Sequence, residues 1–176
     1  MNDKPLFFIA IIPPENLRTE IEELKTRISV RFNTKCALNS PPHITLIPPF
    51  RTELSNLNSL IQKLEELAKN ETAIDVSIVG FGAFEPKVVY LDVKENPVLQ
   101  SLSRRLASIL TNTSIRKDLK FHITLATRDL TSKMFYKAWN IYRYQSINIS
   151  FNADAFYLLK HNGTRWDIHY EFLFQA

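Results

Sequence analysis

The chain holds one cysteine and three glycines in 176 residues, and both scarcities exclude chemistry. A single cysteine, Cys36, leaves no internal disulfide to form, and a reduced compartment is the expectation. Cys36 itself is read as a small apolar side chain near a strand end rather than a nucleophile. With only Gly80, Gly82 and Gly163, there is no glycine-rich phosphate loop and no Gly-x-Ser-x-Gly elbow. The apolar run Leu6–Ile12 is too short to span a bilayer. Asp3 before it, Pro13-Pro14 after it and the lack of a small-residue cleavage site argue against a signal peptide, so it reads as a buried first strand. A cytoplasmic protein with no membrane partner is expected.

Charge of one sign is also modest. A net charge of +4 and a pI near 9.2 favour anionic partners without choosing among RNA, nucleotides and membrane surfaces. What remains is an ordinary globular composition, 45% hydrophobic and 23% charged, long enough for one domain over residues 1–176.

Hydrophobic spacing then shows a repeat. After Leu6–Ile12, the residues Leu17, Ile21, Leu24, Ile28 and Phe32 form a helical stripe, and Ala37–Ile47 is a strand-like run. Leu57, Leu60, Ile61, Leu64 and Leu67 mark a second helix. Ile74–Phe84 and Val88–Val93 read as strands, with Gly80 and Gly82 as kinks or points of close approach. The order starts again at Asn96-Pro97, a cap followed by proline at the first helical position. Leu99, Leu102, Leu106, Ile109 and Leu110 supply that helix's stripe, Lys120–Thr127 a strand, and Thr131 the cap of a fourth helix. Strands near Ala153–Lys160 and Arg165–Phe174 close across Asn162-Gly163.

The tetrapeptide His-Ile-Thr-Leu occurs at 43–46 and again at 122–125, and Thr52 and Thr131 keep the same offset ahead of helices. In a repeated element order this points to duplication, with equivalent residues placed about a pseudo-twofold axis. Strand side chains alternate between faces. His43 and Thr45 therefore share one face, and His122 and Thr124 share another, with Arg128 joining the second pair if its strand stays regular. Two imidazoles on opposite sides of a phosphorus atom can remove and deliver the protons that phosphoester cleavage needs. Threonine hydroxyls two residues away can stabilise the non-bridging oxygens, and the Arg128 guanidinium can add a charged contact. Neither motif has ligands at zinc spacing beside it, so no metal or cofactor is expected. His161 and His169 lack the motif and read as structural or solvent-facing.

With these segments in place, Ser40–Phe50 and Lys120–Leu130, the chain resembles the two-histidine (2H) phosphoesterases, in the branch of 2′-5′ RNA ligase-like proteins. Gly80–Phe84 followed by Val88–Val93, and the closing hairpin, are similar to the family's middle and end, so the likeness spans essentially the whole chain. The resemblance implies an α+β fold of two pseudo-symmetric lobes, each with a mainly antiparallel sheet and outer helices, around a central groove. It implies metal-independent hydrolysis of a 2′,3′-cyclic phosphate at an RNA end or on a small nucleotide, with weak reversible ligation. His43 and His122 match the catalytic histidines, and Thr45 and Thr124 their phosphate-binding partners. Phe121 stands where the pattern has proline, a change expected to be tolerated. His122 as base and His43 as acid is the expected assignment, though the motif's symmetry leaves it open.

Arg116, Lys117 and Lys120 are candidates to guide an RNA backbone, and Phe50 and Phe84 to stack a base. A monomer is expected. A non-catalytic nucleotide-binding module and a phosphodiesterase for another cyclic nucleotide or a 2′-5′ oligonucleotide remain open alternatives.

Overall fold

The computed structural model describes residues 4–110 and 119–175. Strand β1 (Leu6–Ile11) leads through Pro13-Pro14 into helix α1 (Glu15–Phe32). Leu17, Ile21, Ile28 and Phe32 form its buried stripe, and Asn33 ends it in the left-handed conformation, φ 51°. A 3₁₀ turn (Cys36–Asn39) precedes β2 (Ile44–Arg51), α2 (Leu54–Ala68), β3 (Ile74–Phe84) and β4 (Val88–Val93). Helix α3 (Pro97–Ile109) starts where expected, the Asn96 side chain accepting from the Val98 and Leu99 N–H groups at 3.0 and 3.1 Å. Then come β5 (His122–Ala126), α4 (Ser132–Tyr142), β6 (Ile149–Ala153), β7 (Ala155–His161) and β8 (Trp166–Leu173). Thr131 caps α4 by accepting from the Met134 N–H.

All eight strands join one antiparallel sheet in the order β6-β3-β4-β5-β2-β1-β7-β8. Its two four-stranded halves meet at the β5–β2 seam, where Ile44 and Ile123 are the one paired position. Prolines at 41, 42, 48 and 49 bracket that position and offer no N–H to a longer ladder. The α+β architecture of two pseudo-symmetric lobes is as the family resemblance implies.

The lobes are not, however, the two sequence halves. β3 follows α2 but pairs with β4, and β7 follows β6 but pairs with β1. Helices cross as well: α1 packs behind β5 and α3 behind β2, the Ser103 hydroxyl donating to the Leu46 carbonyl at 2.7 Å. The main core lies between sheet and helices. A smaller cluster of Phe8, Ala10, Ile12 and Leu159, edged by Tyr157 and Trp166, lies apart from it.

Two local readings are corrected. Residues 37–43 are not strand, because the 3₁₀ turn and Pro41-Pro42 occupy them and pairing begins at Ile44. Strand β6, in a stretch the hydrophobic pattern leaves blank, is an edge strand whose residues alternate between covered and exposed.

Candidate active site

The Ile44↔Ile123 pair sets the register of both motifs. Continued one residue each way, it places His43 opposite Thr124 and Thr45 opposite His122. Ile44 and Ile123 turn into the core, so all four polar side chains turn to the other face of the sheet. The histidines occupy one diagonal of this square and the threonines the other, a separation of about 7–8 Å between diagonal backbone positions.

Each imidazole is held in the same way. His43 Nδ1 lies 2.7 Å from the Pro41 carbonyl oxygen, and His122 Nδ1 lies 2.7 Å from that of Lys120. A carbonyl only accepts, so each Nδ1 carries a proton and each Nε2 is left to accept or deliver one. Aromatic rings fix the orientations. Phe8 packs on His43 with centroids 4.7 Å apart. Tyr90 and Phe84 pack on His122 at 4.9 and 5.1 Å. Gly82 makes this possible, since a Cβ there would fall 2.2 Å from the Tyr90 ring. Among the described residues, the Thr45 and Thr124 hydroxyls have no protein hydrogen-bond partner, which leaves them able to donate to a ligand.

The charges around the two rings differ. Burial pushes the His43 imidazole down to about 4; its bond to the Pro41 carbonyl opposes this, while the Lys25 ammonium and the second imidazole add to it. Lys25 is 2% exposed, donates to the Ser40 carbonyl at 2.7 Å, and is itself brought down to about 8, chiefly by burial. His122 is also lowered by burial, but its bond to the Lys120 carbonyl and the Asp92 carboxylate oppose the shift. Asp92 is the cross-strand partner of His122. Its Oδ1 pairs with the Lys120 ammonium at 2.6 Å. A cation thus lies near His43, whereas an ion pair lies beside His122, its Asp92 carboxylate raising the ring's value and its Lys120 ammonium lowering it.

The remaining candidates divide. Lys120 is near the site, but its ammonium is paired with Asp92. Arg128 does not join the face: β5 ends at Ala126, and Arg128 is exposed with φ 53°. The strand breaks there because the next residue, Asp129, turns back to bind the start of the 3₁₀ turn. Its carboxylate accepts from the Thr34 hydroxyl at 2.6 Å and the Lys35 N–H at 2.7 Å. Phe50 lies away from the site as well. It pairs with core residue Phe7 and lines a different cavity of about 580 Å³ with α2 residues such as Asn56 and Lys63. Phe84 does reach the site, 42% exposed. Arg116 and Lys117 lie outside the described residues.

Asp92, Lys25, Phe8 and Tyr90 escaped the sequence reading, although two left traces. Asp92 interrupts an apolar strand, and Lys25 falls four residues after Ile21, on the apolar stripe of α1. Among the described residues, no group of three or more His, Cys, Asp or Glu side chains is placed to hold a metal ion. No described helix is long and apolar enough to cross a membrane.

Two mirrored imidazoles, each with a free Nε2 and a neighbouring hydroxyl, make a centre suited to acid–base chemistry on a bound anion. The chain belongs to the 2′-5′ RNA ligase superfamily, whose family model matches residues 13–165. A Geobacillus sp. (strain WCH70) protein whose name proposes a phosphoesterase is 28% identical over 169 residues, covering 94% of each chain. A relative from Geobacillus kaustophilus (strain HTA426), similarly named, has the same identity and coverage. The crystal structure of TT0787 of Thermus thermophilus shares the fold at TM-score 0.69 and 19% identity, over 97% of this chain and 98% of that one. E. coli LigT follows at TM-score 0.65 and 18% identity, over 99% and 100%.

Proposed function

We propose that the protein is a phosphoesterase that hydrolyses 2′,3′-cyclic phosphates at RNA ends or on nucleotides, with no metal ion required. The observation that carries this reading is the diagonal of His43 and His122, each fixed through Nδ1 with Nε2 free. E. coli LigT, a structural neighbour, has been crystallised with 3′-AMP and with ATP, which supports a nucleotide phosphate as ligand.

The charge environments of the two rings support roles in the reverse of the order expected from sequence. His43, near the Lys25 ammonium, stays unprotonated and serves as base. His122, beside the Asp92 carboxylate, more readily holds a proton and serves as acid. A water molecule gives its proton to His43 Nε2 as its oxygen attacks phosphorus. The bond to the ribose 3′-oxygen breaks, and that oxygen takes the proton from His122. A nucleoside 2′-phosphate results. Thr45 and Thr124 donate to the non-bridging oxygens as charge builds there. With a 5′-hydroxyl in place of water, the same steps join two RNA ends, and they run in reverse as cleavage.

The test is ³¹P NMR of a nucleoside 2′,3′-cyclic phosphate incubated with purified protein in EDTA. The expected result is conversion to the 2′-phosphate, with turnover reduced at least about a hundredfold in His43→Ala and in His122→Ala. Turnover that needs an added metal ion, or that survives either substitution, rules the mechanism out.

A further inference from the structure

A cavity of about 790 Å³ lies between α1, the segment 38–41 that leads to His43, and the β7–β8 hairpin. It is well within the size range of small-molecule sites. Arg18, Glu22, Ser40, Pro41, Arg165 and Trp166 are among its walls. Two links tie it to the site. Pro41 supplies the carbonyl that holds the His43 ring. Trp166 packs edge-to-face on Phe8 at 4.6 Å, and Phe8 packs on His43 at 4.7 Å. One phenyl ring therefore separates the indole from the imidazole.

The chemistry of the walls selects an occupant. The Trp166 indole is half-buried, braced by Phe8 and by His161 at 4.9 Å. Arg18 is half-buried, and its guanidinium has no ion pair among the described residues. Arg165 is held by Asp167, Nε to Oδ1 at 3.0 Å. Cations and carboxylates are mixed, so a bare phosphate would meet both signs and gain little. An indole among mixed donors and acceptors suits a neutral group with a flat ring and several hydroxyls, which is a nucleoside.

We infer that this cavity receives a second nucleoside, the chain neighbour of the one that bears the reacting phosphate. The inference rests on the phosphoesterase reading above and narrows its substrate class to oligonucleotide ends over free cyclic mononucleotides. Phe84 stands against His122, while Trp166 lies one ring beyond His43, across Phe8, and the inferred chain extends past His43 toward Trp166.

Steady-state kinetics on uridine 2′,3′-cyclic phosphate and on the dinucleotide ApU ending in the same cyclic phosphate test this. The dinucleotide is expected to have a KM lower by about tenfold, the effect of one stacked base. Trp166→Ala brings the ratio of the two KM values to about one, whatever its effect on kcat, and Trp166→Phe retains part of the preference. Equal KM values in the unaltered protein, or a preference that persists in Trp166→Ala, overturn the inference. Should neither substrate turn over, binding still decides. In Trp139→Phe, where Trp166 is the remaining tryptophan, ApU 2′-phosphate is expected to quench the fluorescence saturably and at lower concentration than uridine 2′-phosphate. Quenching by both at one concentration, or by neither, contradicts it.

Discussion

Ile44 of β2 is the antiparallel partner of Ile123 of β5, the one paired position at the seam of the two lobes. Both side chains are fully buried. Because alternation along a strand is strict, burying these two isoleucines forces the histidines and threonines on either side of them out together. The site is the polar reverse of a core contact.

The opposed charges make the acid–base assignment testable. A base must be unprotonated, and His43 is held near 4, so kcat/KM is expected to fall on the acid side only around that pH. An acid must be protonated, so activity is expected to decline as pH rises through the value of His122. The groups around His122 are Asp92, Lys120, Tyr90 and Phe84. Asp92→Asn removes the one negative charge among them, which lowers the His122 value and starts the alkaline decline at lower pH. The acid limb stays in place. Movement of the acid limb instead assigns the roles the other way.

Gly82 gives a second prediction. In Gly82→Ala the new methyl group displaces the Tyr90 ring, which then loses its contact with His122. Overpacking of this kind costs about 1–3 kcal/mol. Urea unfolding measures that loss, and kcat is expected to fall more than KM rises because the imidazole is no longer braced. Unchanged stability and turnover would show that Tyr90 moves aside freely and does not orient His122.

Much of this arrangement is legible in sequence. The repeated His-Ile-Thr-Leu, the alternation that aims His and Thr together, the helix stripes and the Asn162-Gly163 hairpin are all local patterns. What escapes is non-local. That Asp92 faces His122 depends on the β4–β5 register. That Lys25 sits near His43 depends on α1 crossing the seam to pack behind β5. Phe50 departs from its expected place because β1 and β2 pair with register shifts, which alter the simple alternation beyond Ile47. Arg128 departs because Asp129 ends the strand early, and a carboxylate bound to a distant loop leaves no periodic trace.

Asp129 supplies a third prediction. Burial raises its carboxyl, but bonds from Thr34, Lys35 and Cys36 outweigh that and hold it below the usual carboxylate range. It ties the end of the second motif's strand to the turn ahead of the first motif. Asp129→Ala is expected to destabilise the fold by about 2 kcal/mol, as loss of charge-assisted hydrogen bonds to backbone and hydroxyl does. Asp129→Asn is expected to recover part of this. Denaturant unfolding of both variants checks the order, and equal stability of all three proteins would contradict it.

The convergence of both imidazoles on one phosphorus atom is tested most directly by ¹⁵N NMR of histidine-labelled protein titrated with inorganic phosphate. The Nε2 signals of His43 and His122 are expected to shift together, with one midpoint and one phosphate per protein, while His161 and His169 do not follow that midpoint. Two separate midpoints, or a shift at only one of the pair, would show that the histidines do not share a phosphate.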